Sequence, residues 1–143
     1  MKHRNDINWN RQSGITILEI LVVLAIIALL ASVVAPRVIG QLGKAKSETA
    51  ELQIGNLMTA AQLFYIDTGR YPSESEGLSA LMSAPTGAEG WNGPYLDSDT
   101  ALRDPWGRDY IYETGQDGSG ILIQTLGRDG SSGGNGEDAD LSS

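Results

Sequence analysis

The feature that most constrains this chain is an apolar run of 21 residues near its N-terminus. Residues 15–35 read ITILEILVVLAIIALLASVVA, and the polar residues among them are Thr16, Glu19 and Ser32. At a rise of ~1.5 Å per residue, such a helix spans roughly 32 Å, the thickness of a bilayer's hydrocarbon core. A core helix of a soluble protein would carry a polar stripe, which residues 20–31 lack. The run therefore predicts a membrane-spanning helix.

The segment before the run is positively charged, because Lys2, Arg4 and Arg11 outweigh Asp6. Positive flanks of membrane helices stay in the cytoplasm, so we expect a cytoplasmic N-terminus and an exported remainder. The alternative is a cleaved secretory signal peptide. It fits less well, because the run is longer than a typical signal core and no A-x-A-type cleavage site follows Ala35.

Apolar residues continue beyond the run at spacings of three and four, which predicts one helix over residues 15–66, first apolar and then amphipathic. The continuing positions are Val38, Ile39, Leu42, Ala45, Thr49, Leu52, Leu57, Ala60, Ala61 and Phe64. Pro36 lies at the junction and lacks a backbone N–H, so we expect the helix to be flexible there. Gly69 is expected to end it as a left-handed C-cap.

Composition excludes several kinds of chemistry. The chain has no cysteine and one histidine, His3. The first fact excludes disulfides, zinc–thiolate sites and thiol catalysis. Because the one histidine lies at the extreme N-terminus, it is poorly placed to form a Ser-His-Asp triad. An enzyme tethered by a single helix is therefore a poor alternative, and we expect no enzymatic activity.

Beyond Gly69 the sequence predicts short elements. Residues 76–81 form a short amphipathic helix, and residues 110–113 and 121–125 form two strands joined by a glycine-bounded turn over residues 115–120. Five aromatic residues are expected to pack a small sheet onto the long helix. They are Trp91, Tyr95, Trp106, Tyr110 and Tyr112. The predicted class is α+β.

The C-terminal segment LGRDGSSGGNGEDADLSS is acidic and rich in glycine. Its carboxylates are hard oxygen ligands of the kind that calcium prefers, and its glycines allow backbone carbonyls to turn inward. The spacing is not that of an EF-hand. A disordered acidic tail has the same composition, so both interpretations remain open at this point.

Glu19 is a costly residue within an apolar run. It could lie near the interface and reach water, or it could pair with a cation from another chain. The string Gln12-Ser13-Gly14-Ile15-Thr16-Ile17-Leu18-Glu19-Ile20 resembles the prepilin-type processing motif of type IV pilins and type II secretion pseudopilins. The resemblance implies cleavage between Gly14 and Ile15 by a prepilin peptidase and recruitment of each subunit to a filament by Glu19. Because the family usually has Phe after the cut, Ile15 leaves N-methylation open.

Four further strings resemble the G-type pseudopilins of type II secretion systems. They are Gly69-Arg70-Tyr71-Pro72, Glu76-Gly77-Leu78, Asp104-Pro105-Trp106-Gly107 with Tyr110, and Leu126-Gly127-Arg128-Asp129-Gly130. The resemblance implies a type IV pilin-like fold with a leader peptide (1–14), a transmembrane and assembly helix (15–36) and a periplasmic domain (37–143). It also implies one calcium ion in the C-terminal loop. The implied ligands are the carbonyls of Leu126 and Ser131 and the carboxylates of Asp129, Asp138 and Asp140.

The implied function is that of the major structural subunit of a pseudopilus, a homopolymer that grows from the inner membrane of a Gram-negative bacterium and drives export of folded proteins. The implied partners are minor pseudopilins, the prepilin peptidase, the inner-membrane platform with its ATPase, and the outer-membrane secretin. No nucleic-acid partner is expected. Two alternatives remain: a type IV pilus subunit, which usually carries a disulfide that this chain cannot form, and a membrane-tethered calcium-binding module.

Overall fold

The computed structural model describes residues 14–115 and 120–143. The residues of the predicted leader before Gly14, and those at the tip of the predicted 115–120 turn, lie outside the described part. The chain divides into two compact units between Val38 and Ile39. One helix, α1 (Ile17–Thr68), contributes to both of them.

The N-terminal unit contains the apolar part of α1. Its side chains are exposed, with Leu24 at 56% and Leu29 at 69% of full exposure. The helix is long and apolar enough to cross a membrane. Pro36 lies within α1, which continues past it without interruption to Thr68. The flexibility expected at Pro36 stays a prediction.

The second part of α1 buries one face, formed by residues at helical spacing. These are Gly43, Ala50, Ile54, Leu57, Ala60, Ala61 and Phe64. The amphipathic pattern is confirmed from Leu57 onward. The prediction was wrong for the earlier positions, which are all exposed, Leu42 to 60% and Leu52 to 71%: Val38, Ile39, Leu42, Ala45, Thr49 and Leu52. Leu52 and Leu57 are five residues apart and therefore point to different sides of a helix with 3.6 residues per turn.

The helix ends as predicted. Gly69 has a φ of 74°, a left-handed conformation that favours glycine, and its N–H donates to the carbonyl of Tyr65 at 2.8 Å. The short element predicted next is a 3₁₀ helix (Gly77–Leu81), in which Leu78, Ala80 and Leu81 are buried. Its tight turns place these apolar side chains against α1.

The sheet has three antiparallel strands, β1 (Ile111–Thr114), β2 (Ile121–Thr125) and β3 (Leu141–Ser142), in that order. β2 has the predicted bounds, and β1 begins one residue later than predicted. The third strand was not predicted. In its register Thr125 pairs with Leu141, so the segment 126–140 begins and ends at the same edge of the sheet.

The core lies between the buried face of α1 and the sheet. Phe64, Leu57, Leu81 and Ile123 are its largest fully buried apolar side chains. The predicted role of the aromatic residues is confirmed for Tyr110, which is buried in this cluster, and for its partly buried neighbours Trp91, Tyr95 and Tyr112. Trp106 has a different role, described below. The predicted α+β class is thus confirmed in the second unit, where the helix packs on a small antiparallel sheet.

Candidate functional site

The processing motif lies at the start of α1. Gly14, Ile15 and Thr16 precede the helix and are exposed. The backbone N–H of Glu19 donates to Thr16 Oγ1 at 3.1 Å, so Thr16 is the N-cap and Glu19 is the third helical residue. Thr-x-x-Glu is the capping-box pattern, a signal that our sequence analysis missed. Glu19 also lies in the first turn, where the helix dipole stabilises a negative charge.

The surface around Glu19 is apolar. Glu19 lines a shallow groove of about 310 Å³ with Ile15, Ile20, Val23 and Leu24. Within residues 14–115 and 120–143, no ion pair involves Glu19. The chain itself thus places this carboxylate in a capped first turn and in an apolar surrounding, but offers it no cation among the described residues.

The second site is the C-terminal loop between β2 and β3. The loop has two arms: the first begins at Leu126 and the second ends at Asp140. Two glycines with positive φ, Gly127 (62°) and Gly134 (88°), lie against the backbone of the second arm. A Cβ atom on Gly127 would lie 2.7 Å from the carbonyl oxygen of Ala139, and one on Gly134 would strike the backbone of Asp138. Side chains at these positions would therefore force the arms apart. The two glycines therefore allow this segment to form an ordered loop, although its composition is also typical of a disordered tail.

Two predicted calcium ligands have their carboxylates folded over the loop. Asp129 Oδ1 accepts the N–H of Ser131 at 3.0 Å, and Asp140 Oδ2 accepts the N–H of Gly133 at 2.9 Å. Neither carboxylate has a cationic partner within the described residues. The carbonyl oxygens of Leu126 and Ser131 likewise accept no hydrogen bond from that part of the chain. These four residues offer hard oxygens that suit calcium.

Asp138, the fifth predicted ligand, is differently placed. Its two carboxylate oxygens accept hydrogen bonds from Nε and Nη2 of Arg128 at 2.8 and 2.9 Å. This bidentate bond raises the pKa of the Arg128 guanidinium. Across residues 14–115 and 120–143, no three acidic or histidine side chains form a group that could hold a metal. A calcium ion here would therefore depend on carbonyl oxygens as well as carboxylates.

Asp104 joins the Asp-Pro-Trp-Gly turn to the base of the loop. Its side chain is fully buried. Oδ1 accepts the N–H groups of Trp106 and Arg108 at 3.0 and 2.8 Å, and Oδ2 accepts the hydroxyl of Thr125 at 2.6 Å. Arg108 Nη1 in turn donates to the carbonyl of Arg128 at 3.0 Å. Burial of a carboxylate is tolerated because it is hydrogen-bonded on both oxygens.

Glu137 joins the other arm of the loop to α1. Its Oε1 accepts the indole N–H of Trp106 at 3.0 Å. The same carboxylate lies against Gly43 of α1, where an added Cβ would be 2.5 Å from Oε2. Gly43 is buried for this reason. Trp106 thus anchors the loop, a role that sequence reasoning missed because the two residues are 31 positions apart.

The motif around Arg70 has a structural role. Arg70 Nη1 and Nη2 donate to Glu76 Oε2 and Oε1 at 2.7 and 2.8 Å, and the N–H of Ser73 also donates to Oε2. These hydrogen bonds, that of Arg70 foremost, lower the pKa of Glu76 to about 2. The hydroxyl of Tyr112 in β1 donates to the carbonyl of Pro72 at 2.7 Å. The segment after α1 is thereby tied to the sheet.

Comparisons with known proteins agree with this geometry. The family model described as "Type II secretion system (T2SS), protein G" matches residues 37–143, and that described as "Prokaryotic N-terminal methylation motif" matches residues 9–35. The type II secretion system core protein G of Vibrio cholerae serotype O1 is 39% identical over 134 residues, covering 92% of this chain and 90% of that protein. The protein of the same name from Pseudomonas aeruginosa is 36% identical over 138 residues, covering 92% and 94%.

A solved structure gives the same result. The crystal structure of the major pseudopilin from the type 2 secretion system of enterohaemorrhagic Escherichia coli is similar to this chain, with a TM-score of 0.58 and 30% sequence identity. The match covers 72% of this chain and 86% of that one. The resemblance drawn from the sequence motifs is therefore confirmed. The chain belongs to the protein G family of type II secretion systems and is a pseudopilus subunit.

Proposed function

We propose that this chain is the major subunit of its pseudopilus and that the growing filament drives folded proteins across the outer membrane. The observation that carries the proposal is the N-terminal unit, where a long apolar helix surface is exposed around one carboxylate, Glu19. Such a surface suits lipid before assembly and other copies of the helix after it. The proposed location is the inner membrane, with a cytoplasmic N-terminus and a periplasmic second unit.

The proposed partners follow from this role. Copies of the same chain form the filament, together with minor pseudopilins, and an inner-membrane platform with its ATPase extracts the subunits. The filament works below an outer-membrane secretin. A prepilin peptidase would cut between Gly14 and Ile15, and the exposure of this bond ahead of α1 supports that step.

Glu19 is the proposed recruiting group. Cleavage would create a free α-amino group at Ile15, and Glu19 of one subunit would pair with that cation of another. Within an apolar surrounding such a pair is much stronger than in water. The helix cap at Thr16 supports this role, because it fixes the first turn in which Glu19 lies.

The test is complementation of a strain that lacks this chain, with Glu19→Gln. Glutamine keeps the capping-box geometry and removes the charge. We expect secretion to fall at least ~10-fold, the change produced by ~1.4 kcal/mol of lost pairing, with substrates retained in the periplasm. The matched control is Glu89→Gln, an exposed glutamate outside the helix, which should restore normal secretion. Normal secretion by Glu19→Gln would contradict the proposal.

We also propose that the C-terminal loop binds one calcium ion. Leu126 and Ser131 would offer carbonyl oxygens, and Asp129 and Asp140 would offer carboxylates; Asp138, also predicted, is considered below. When bound, calcium would cross-link the two arms of the loop. An ion that binds only the folded state stabilises it by mass action, by ~2.7 kcal/mol at a free concentration 100 times the Kd.

Thermal unfolding of the full chain in detergent tests this proposal. We expect a higher Tm in calcium than in EGTA, and Asp140→Asn should remove most of the difference. Asp97→Asn, a change to an exposed carboxylate outside the loop, is the control and should keep it. Equal melting curves of the unmodified chain in calcium and in EGTA would contradict calcium binding.

A further inference from the structure

Arg128 is at the centre of the C-terminal loop. Its N–H donates to the carbonyl of Glu137 at 2.8 Å, and its own carbonyl accepts from Arg108. Its guanidinium binds Asp138 with two hydrogen bonds and contacts Glu137 Oε2 at 3.3 Å. The backbone N–H and the guanidinium of Arg128 therefore join the two arms of the loop, and its carbonyl ties one arm to Arg108.

We propose that the guanidinium of Arg128 acts as a clamp, because it binds Asp138 and Glu137 of the opposite arm. The clamp withdraws Asp138 from calcium and keeps the two arms together without metal. The withdrawal of Asp138 rests on the calcium site proposed above. The clamp itself does not, because all of its partners belong to this chain.

The withdrawal of Asp138 follows from the hydrogen bonds. Both of its oxygens are taken by one planar guanidinium, and the match of two parallel N–H···O bonds is the strongest form of this pair. Calcium would compete with the guanidinium for this carboxylate, so ligation by Asp138 would weaken its pair with Arg128. Asp129 and Asp140 each accept a backbone N–H on one oxygen and have no ion pair with Arg128. They are free to turn an oxygen toward a metal.

The closure of the loop follows from where the clamp is attached. Glu137 is bound to Trp106 and packs on Gly43, so the arm that Arg128 holds is fixed to α1. The arm that carries Arg128 is fixed to the Asp-Pro-Trp-Gly turn by Arg108. The clamp therefore joins two points that the rest of the unit already holds in place.

The clamp is tested in EGTA, where calcium plays no part. The full chain in detergent is digested with a broad-specificity protease, so that loss of an arginine does not remove a cleavage site. We expect Arg128→Gln to be cut in the loop roughly fivefold faster than the unmodified chain. The control is Arg103→Gln, whose ion pair with Asp109 is highly exposed, and it should be cut at the unmodified rate. Equal rates for Arg128→Gln and the unmodified chain would overturn the clamp.

A double variant makes the test specific. If Arg128 acts through Asp138, adding Asp138→Asn to Arg128→Gln should leave the cutting rate unchanged within about a factor of 1.5. A further increase of the size that Asp138→Asn causes alone would mean that the two residues act independently, which contradicts the clamp.

Calorimetric titration with calcium tests the withdrawal of Asp138. We expect Asp138→Asn to weaken binding less than ~3-fold and Asp140→Asn at least ~10-fold, since only the latter removes a ligand. Equal weakening by the two changes would overturn the assignment. If the unmodified chain took up no calcium, the calcium proposal would fail, and the digestion in EGTA would still decide whether the clamp exists.

Discussion

The two parts of α1 place their large apolar side chains in opposite surroundings. In the N-terminal unit the large apolar side chains are exposed, as at Leu24 (56%), whereas Phe64 in the second unit is fully buried. The second unit covers its apolar face with a 3₁₀ helix and a sheet, and it ties its turns together with ion pairs and hydrogen bonds. Within residues 14–38, the described part of the N-terminal unit, no second helix or strand covers this surface.

This difference shows which part of the subunit depends on other molecules. The second unit has its own core, so its stability comes from contacts within the chain. The N-terminal unit needs lipid or other subunits, as expected of a pseudopilus subunit held in a membrane before assembly. Substitutions should therefore affect the folding of one unit and the assembly of the other.

The largest expected effect comes from comparing Phe64→Ala with Leu24→Ala. Truncation of the buried phenylalanine should destabilise the second unit by about 3–5 kcal/mol, because it leaves a cavity. Truncation of the exposed leucine should change the stability of that unit by less than about 0.5 kcal/mol. Thermal unfolding in detergent, followed by the fluorescence of Trp91 and Trp106, measures both. Similar losses of stability in the two variants would contradict the contrast between a buried and an exposed apolar surface.

A smaller effect is expected from two glycines of α1. Gly55→Ala meets nothing within 4 Å and should stabilise the second unit by up to ~1 kcal/mol through helix propensity. Gly43→Ala should instead destabilise it by about 1 kcal/mol, because the new methyl group displaces Glu137 from Trp106. The same unfolding measurement distinguishes them. Stabilisation by both changes would show that the Glu137 anchor contributes little.

The smallest expected effect is a pH dependence confined to the second unit. The pKa of Glu76 is lowered from 4.5 to about 2 in the folded chain, chiefly by Arg70. The stabilisation is therefore present above pH ~4.5 and is lost as the pH falls toward ~2. Glu76→Gln should flatten the fall in Tm across this window, and Glu89→Gln should not. An unchanged slope with Glu76→Gln would rule out this contribution.

The sequence predicted the elements with strong local patterns. β2 and the C-cap at Gly69 follow from strand-forming residues and from the conformational freedom of glycine, and both were confirmed. The two-residue strand β3 was missed, because Leu141 and Ser142 carry no pattern of their own and are ordered by pairing with β2. The buried face of α1 was only partly predicted, because several apolar faces fit the same spacing until a sheet covers one.

The contacts at the candidate sites were harder to predict. Thr16 could have been found from its Thr-x-x-Glu spacing alone. The bonds from Trp106 to Glu137 and from Asp104 to Thr125 join residues 31 and 21 positions apart, and no local pattern indicates such pairs. Arg128 and Asp138 are ten positions apart in a segment that also suits disorder. Only the close approach of the loop's two arms at its glycines brings them together.

We expect the exposed apolar unit to remain in the mature subunit as a working part. The intact mass of the chain, extracted from membranes of a host with a prepilin peptidase, tests this most directly. We predict a mass that corresponds to residues 15–143, with or without one added methyl group on Ile15. A mature chain that begins after residue 35, or one that retains the segment before Ile15, would contradict the claim.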